Sequence, residues 1–331
     1  MPTKSIALIT GTAGFIGFHL AKRMLEQGWQ VVGIDSMTDY YDVRIKQKRN
    51  EILESFPHYT FYSYSIADYN KIEEVIKGHT PSVIIHLAAQ AGVRHSLKNP
   101  WAYVEANYLG TLNVFEAAKR AGIKKVIYAS SSSVYGNNKK RPFSEEDRVD
   151  TPLSVYAASK KANEVLAHSY SHLYGIDTIG LRFFTVYGEY GRPDLALFKF
   201  VKNILLDKEI ELYNQGEMTR NFTYVSDIID GMLAILEKGI KGCEIYNLGG
   251  PDATPLRRFV ELIEHNLGKK AKVKLLPMQP GDVPLTSAYL AKAKRDFGFD
   301  PKVGIEEGIE KFVTWFVDNK SWLLELKDDE N

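Results

Sequence analysis

Two clusters in this chain have residue types and spacing that could do chemistry. One is the run Ser130-Ser131-Ser132-Ser133-Val134-Tyr135-Gly136, and the other is Tyr156 followed four residues later by Lys160. Ser154–Tyr174 contains no glycine or proline and is closed by Gly175, so it reads as a helix. On a helix, residues four apart leave the same face, and Tyr156 and Lys160 would project together. A free tyrosine titrates near ~10 and is a poor base at neutral pH. A nearby ammonium favours the phenolate, because an opposite charge within a few ångströms lowers an acid's pKa. The hydroxyl of Ser131 could bond the same substrate oxygen. Together the three groups could move one proton on or off a carbinol while another group takes the hydride. The plain alternative is a surface helix on which a tyrosine and a lysine happen to fall at this spacing, and only the surrounding chain can decide.

That surrounding chain has 331 residues, enough for a large core and one or two closely packed domains. With 42 basic and 41 acidic residues and no long basic block, it lacks the surface of a general nucleic-acid binder. Cys243 is the single cysteine, which excludes an internal disulfide and a cysteine-based metal site. No apolar run approaches the roughly 20 residues that span a bilayer, and no signal-like pattern precedes the first strand. The expectation is a cytoplasmic protein with no metal, membrane or nucleic-acid partner. No internal repeat is evident, and the acidic tail Lys327–Asn331 is expected to fray.

The elements that must position the chemistry follow in order. Ile6–Ile9 fits a strand buried on both faces. The turn Gly11-Thr12-Ala13-Gly14-Phe15-Ile16-Gly17 follows, then a helical pattern to Gly28. Such a turn lets the backbone approach a pyrophosphate and points amides of a helix N-terminus at it. The next strand, Val31–Ile34, ends in Asp35, where an acid can hold a ribose diol and would repel a 2′-phosphate. NAD is therefore expected rather than NADP. Val43–Phe56 reads as helix, Tyr59–Tyr64 as strand, Tyr69–Gly78 as helix and Val83–Leu87 as strand. A long helix over Trp101–Ala121 and a strand over Val126–Ala129 lead into the serine run, and Thr178–Phe183 reads as a further strand. Apolar strands alternating with helices imply a doubly wound, Rossmann-type parallel α/β sheet, with ligands at the carboxyl ends of its strands. Gly11, Asp35, the stretch Leu87-Ala88-Ala89-Gln90 and the serine run all fall at such ends. Beyond Gly188 the elements shorten: helices at Ala196–Asp207, Ser226–Lys238, Leu256–Leu267 and Ile305–Asp318, with strands near Ile210–Tyr213 and Glu244–Leu248. The expected organisation is a nucleotide-binding domain over residues 1–185 and a smaller, partly interleaved α/β substrate domain over residues 186–331, with some later segments returning to the first.

Gly11–Gly17, Asp35, His86–Gln90, Asn107, the serine run and Tyr156-x-x-x-Lys160 resemble the nucleotide-sugar branch of the extended short-chain dehydrogenases/reductases across essentially the whole chain. Within that branch, HLAAQAGVR at 86–94, LRFFTVYGEYGRPD at 181–194, MTRNFTYVSDI at 218–228 and MQPGDVPLT at 278–286 are most similar to the UDP-glucuronate 4-epimerases. The resemblance implies a homodimer that converts UDP-glucuronate to UDP-galacturonate through a transient 4-keto sugar, with tightly held NAD recycled. It implies Ser131, Tyr156 and Lys160 as the catalytic set, with Lys160 also on the nicotinamide ribose. The pyrophosphate and adenosine ribose would be held by Gly11, Gly14, Phe15, Ile16, Gly17 and Asp35. Leu87, Ala88, Ala89, Gln90, Asn107 and Ala129 would line the cofactor cleft, and Ser65 and Ile66 would lie at the adenine. Arg192 and Arg220 would grip the diphosphate, a task suited to guanidinium geometry, with Arg94 a further substrate contact. Ser132, Ser133 and Thr185 would hold the sugar carboxylate and restrain loss of carbon dioxide from the β-keto acid intermediate.

The chain departs from related patterns at three places: Ser65 stands where an acid usually contacts adenine, Gln279 where galactose epimerases carry an arginine, and Tyr289 where an acid usually stands. Several residues also have simpler readings. Arg94 could be a structural ion-pair partner, and Asn107 could satisfy neighbouring backbone. His86 reads as a satisfied core histidine and Cys243 as an inert buried thiol. Tyr40-Tyr41 could cover a site or pack on the sheet. The competing functions are a UDP-glucose 4-epimerase, a related decarboxylase or dehydratase, and a non-catalytic NAD sensor. The dehydratase is disfavoured because no acid stands beside Ser131.

Overall fold

The computed structural model describes residues 5–279 and 281–328. Its strands in chain order are β1 Ile6–Thr10, β2 Gln30–Ile34, β3 Tyr59–Tyr62, β4 Val83–His86, β5 Lys125–Ser131 and β6 Asp177–Phe183. There follow β7 Thr185–Tyr187, β8 Glu209–Leu212, β9 Thr219–Tyr224, β10 Cys243–Leu248, β11 Ala253–Pro255 and β12 Lys272–Leu275. Seven of them form one sheet in the order β3-β2-β1-β4-β5-β6-β10, every pair parallel. The order reverses between β1 and β4, the place where an open α/β sheet leaves a crevice.

The strands are apolar on both sides because both faces are covered. Leu8, Val32, Ile84 and Val126 point one way and pack with Ile72, Val114, Phe115 and Ala167 from the helices Tyr69–His79, Gly110–Arg120 and Val155–Tyr174. Ala7, Ile9, Val31, Ile85 and Ile127 point the other way, against Phe18 and Met24 of Phe15–Glu26 and Ile228 and Met232 of Val225–Lys238. A period-two alternation thus feeds two cores. A third core joins Phe198, Ile210, Phe222, Phe259 and Phe312 of the second half to Tyr40, Tyr41 and Ile45 of the first. This second half is built on a three-stranded sheet, β11-β9-β7, and the pair β12-β8. No helix among the described residues is long and apolar enough to cross a membrane.

Several expectations need correction. The helix read over Trp101–Ala121 is continuous in direction but changes winding: Pro100–Tyr103 is α-helical, Val104–Leu109 is a π turn and Gly110–Arg120 is α-helical again. Strands β7, β9, β11 and β12 are not legible in the sequence, since three of them are only three or four residues long and the six of β9 mix polar and apolar residues without clear alternation. β5 runs two residues further than expected and takes in Ser130 and Ser131. Cys243 is only partly buried, because it opens an edge strand of the sheet. The tail does not fray from Lys327. Its amide donates to Asp42 at 2.8 Å, and Lys202 donates to Asp328 at 3.0 Å. The rest of the tail and Pro280 of the MQPGDVPLT phrase lie outside the described residues.

Candidate active site

The carboxyl ends of β1, β2, β4 and β5 open into a cavity of about 1280 Å³, closed on the far side by the second half. At its floor, Gly11 ends β1 with φ +84°, a conformation that disfavours side chains. A Cβ on Gly17 would sit 2.0 Å from the Gly11 carbonyl oxygen, so the turn closes only with glycine there. Gly11, Gly14, Phe15, Ile16 and Gly17 all line the cavity. Asp35 accepts from the amides of Ala13 at 3.1 Å and Met37 at 2.9 Å, fixing its carboxylate at the end of β2. A glycine turn opening a helix, with a fixed acid beside it, fits a dinucleotide's pyrophosphate and ribose. Ser65, Ile66, Leu87, Ala88, Ala89, Gln90 and Ala129 continue the same wall. Ser65 uses its hydroxyl locally, accepting from the Ala67 amide at 3.2 Å.

Asn107 does not line this cavity. It is fully buried on the π turn, where its Oδ1 accepts from the Gln90 amide at 2.7 Å and its Nδ2 donates to the Gln90 carbonyl at 3.0 Å. It braces the wall from behind through these bonds to the Gln90 backbone.

The catalytic candidates meet at the end of β5. The helix Val155–Tyr174 starts where the Ser154 hydroxyl accepts from the Ala157 amide at 3.1 Å, and it stops at Gly175 with φ +63°. Tyr156, in its first turn, lies beside the Ser131 hydroxyl on the cavity wall. The Ser131 hydroxyl also accepts from the Ser133 amide at 3.1 Å and caps the short turn Ser132–Tyr135. Burial pushes the Tyr156 phenol above its ordinary value, and the neighbouring Ser131 hydroxyl and the charge of Arg192 offset only part of that. Lys160 is 4% exposed and donates to the Ala129 carbonyl at 3.0 Å, and burial lowers its ammonium to about 8. Lys160, the group expected from the sequence to hold the phenol down, is not among the groups that lower it.

Ser132, Ser133 and Thr185 lie on the same wall, Thr185 as the first residue of β7. Arg94, Arg192 and Arg220 also line the cavity, together with Lys46, Lys160 and Lys199. Arg192 is held by Asp194, its Nε donating to Oδ1 at 3.0 Å, and it lies over the rings of Tyr40 and Tyr41 at 5.3 and 5.5 Å. Those two tyrosines are thus both buried and at the site. Arg94 reaches Asp282 at 3.4 Å and stacks over Tyr213 at 4.5 Å. Arg220 donates to the carbonyls of Thr219 at 3.1 Å and Pro284 at 3.3 Å. Sequence reading missed Asp194 and Asp282, although both stand inside quoted phrases two or three residues from other polar landmarks. His86 sits behind the wall with both ring nitrogens engaged, to Thr10 at 2.7 Å and Thr111 at 3.0 Å, and burial lowers it to about 3. It is a core histidine. Among the described residues no cluster of His, Cys, Asp or Glu is placed to hold a metal.

Three comparisons bear on this geometry. Residues 7–249 match the family described as NAD dependent epimerase/dehydratase. The chain is 42% identical to UDP-glucuronate 4-epimerase of Thermodesulfobacterium geofontis over 97% of its length and 98% of the relative's. It is 56% identical to an uncharacterized protein of Methanocaldococcus jannaschii, covering 96% and 98%. Its fold is similar, at a TM-score of 0.90 and 33% identity, to the crystal structure of UDP-glucuronic acid 4-epimerase from Bacillus cereus in complex with UDP-glucuronic acid and NAD, covering 95% of this chain and 99% of that one.

Proposed function

Because the chain belongs to the NAD dependent epimerase/dehydratase family, we propose that it interconverts UDP-glucuronate and UDP-galacturonate by inverting C4 of the sugar. One observation carries this reading: Ser131 and Tyr156 line the same cavity as the glycine turn and Asp35. A proton-transfer group and a dinucleotide cradle sharing one cavity suit reversible oxidation of a carbinol.

A tetrahedral carbon inverts only if one of its bonds is broken and remade. Bound NAD supplies an acceptor and donor for the C4 hydride, which makes the cycle redox-neutral. Tyr156 takes the proton of the 4-hydroxyl and returns it after the keto sugar has turned, and Ser131 holds the same oxygen throughout. Lys160 places positive charge beside Ala129 at the end of β5. The glycine turn and Asp35 hold the dinucleotide. Arg94, Arg192 and Arg220 grip the anionic groups of the nucleotide sugar, and Ser132, Ser133 and Thr185 hold its carboxylate.

The test is incubation of the purified protein with UDP-glucuronate and with UDP-glucose, without added NAD, and product identification by NMR. UDP-galacturonate from the first substrate supports the reading. Carbon dioxide release with no epimer would replace it with a decarboxylase, and turnover of UDP-glucose alone with a galactose-type epimerase. We also propose a homodimer. Trp101, 78% exposed, and the exposed Val104, Tyr108, Val165 and Leu173 lie on the neighbouring helical segments Pro100–Leu109 and Val155–Tyr174, an apolar face that a second copy would cover. A monomeric mass in light scattering would remove this assignment.

A further inference from the structure

Arg49 is fully buried in the helix Val43–Glu54, and it lies behind the site rather than in it. Its guanidinium joins three segments that are far apart in sequence. Nη1 donates to the carbonyl of Ala13 at 2.7 Å and to the Tyr41 hydroxyl at 2.9 Å. Nε and Nη2 both donate to the carbonyl of Tyr190, at 3.1 and 2.7 Å. Ala13 sits in the middle of the glycine turn, and its amide donates to Asp35. Tyr190 stands two residues before Arg192 and is held at φ +54°, a conformation rare for a residue with a side chain. The same segment is tied to the helix that opens from the turn: His19 donates to the Glu189 carbonyl at 2.8 Å, and the Phe18 and Tyr190 rings lie 5.1 Å apart. Tyr41 in turn lies under the Arg192 guanidinium.

A buried cation bonded to neutral oxygens is costly to desolvate, so this arrangement persists only where its geometry is needed. A guanidinium is a rigid fork that can hold two carbonyls at a fixed separation, whereas an ammonium is a point charge on a flexible stem. We infer that Arg49 is a positioning residue that couples the two halves of the site: the placement of the glycine turn when a dinucleotide fills it sets the placement of Tyr190 and Arg192, and the reverse. The inference rests on the reading of the cavity as a site for NAD and a uridine-diphosphate sugar. Coupling of this kind must be reciprocal, so the factor by which NAD tightens the nucleotide equals the factor by which the nucleotide tightens NAD.

The experiment uses UDP as the probe. Its Kd is measured by calorimetry on the full chain with NAD bound and after NAD has been stripped, for wild type, Arg49→Lys and Arg49→Met. The expected ratio of the two Kd values is on the order of tenfold in wild type and close to one in both variants. Tyr41→Phe, which removes a single acceptor from the network, should give an intermediate ratio, and it serves if Arg49→Met does not fold. A residue that merely stabilises the fold would lower the melting temperature and weaken both Kd values while leaving their ratio at the wild-type figure, and that result would overturn the coupling. A wild-type ratio of one would also overturn it. If the wild-type chain bound neither ligand, the functional reading and the coupling would fall together; if it bound both and the variants kept the ratio, the coupling alone would fall.

Discussion

Lys160 donates its ammonium to the carbonyl oxygen of Ala129 at 3.0 Å, so the charge is anchored to the end of β5 rather than left to swing on the Val155–Tyr174 helix. Burial brings this ammonium down to about 8, which places its loss of charge within reach of ordinary assays. The kcat/KM profile, which reports the enzyme before the nucleotide sugar binds, should therefore fall as pH rises through about 8. Lys160→Met should lose that descending limb and lower kcat by about a hundredfold, the scale on which one preorganised donor or charge acts. A wild-type profile flat to high pH would remove the Lys160 charge from the catalytic account.

The Ser131 hydroxyl beside the Tyr156 phenol predicts the opposite limb. It lowers the phenol's pKa against the upward push of burial, so its removal must raise that pKa. Ser131→Ala is expected to move the rising limb of the kcat profile to higher pH and to lower kcat at neutral pH about tenfold, a loss of roughly one charged-group hydrogen bond. Tyr156→Phe removes the proton carrier itself, and kcat should drop about 10²–10⁴-fold while the melting temperature and bound NAD stay near wild type. An unshifted profile in Ser131→Ala would show that the hydroxyl does not tune the phenol.

The same dependence on neighbours explains what the sequence did and did not disclose. The glycine turn, Asp35 and the two-faced strands were legible because each is a local pattern: a fixed spacing, or an apolar run bounded by turns. The family resemblance puts Asn107 in the cofactor cleft, whereas its simpler reading as a satisfier of neighbouring backbone fits its bonds to Gln90, and nothing in Val104–Leu109 announces the π turn. Arg49, Glu164 and Arg182 were passed over for a different reason. A charged residue in a helix or strand ordinarily faces water, and only the fold brings in partners from as far as 141 positions away. The fit between Arg192 and Asp194 was readable in principle, since both stand in one short phrase, but an arginine two residues from an acid is too common to be informative.

The hydroxyl row predicts how the enzyme handles its own intermediate. A 4-keto glucuronate is a β-keto acid, and it loses carbon dioxide most readily when its carboxylate is free to rotate. Thr185 opens β7, whose register against β9 pairs it with Phe222, and it faces the cavity together with Ser132 and Ser133. Thr185→Ala should raise the share of decarboxylated product in NMR time courses and raise the KM for UDP-glucuronate severalfold, as expected for loss of about 1 kcal/mol of hydrogen bonding. Unchanged turnover and product partition would place the carboxylate elsewhere in the cavity.

Glu164 and Arg182 make the last prediction, on stability. Arg182 Nε and Nη2 donate to the two carboxylate oxygens at 2.8 and 2.9 Å, and the side chains are 1% and 2% exposed. The Ser130 hydroxyl donates to the same carboxylate at 2.7 Å, and Arg182 Nη1 donates to the Tyr135 hydroxyl at 3.0 Å. One residue before Ser131 is thereby fixed to the helix that carries Tyr156. Burial pushes the carboxyl up, but the Arg182 bonds and charge outweigh it and hold the pKa below the usual glutamate range. A depressed folded pKa contributes stability that is present above the unfolded value and is lost as pH falls through the folded one, so acid should unfold the wild type more steeply than a chain lacking the pair. Glu164→Leu alone leaves a buried guanidinium uncompensated and should cost about 3–5 kcal/mol in urea unfolding. Glu164→Leu combined with Arg182→Met removes both charges and should recover most of that loss, because two desolvated ions replaced by apolar groups of similar volume are close to neutral. The double variant should nevertheless stay slow in turnover, since Ser130 has lost its anchor and Ser131 its register against Tyr156. Full recovery of kcat in the double variant would show that the pair serves stability alone.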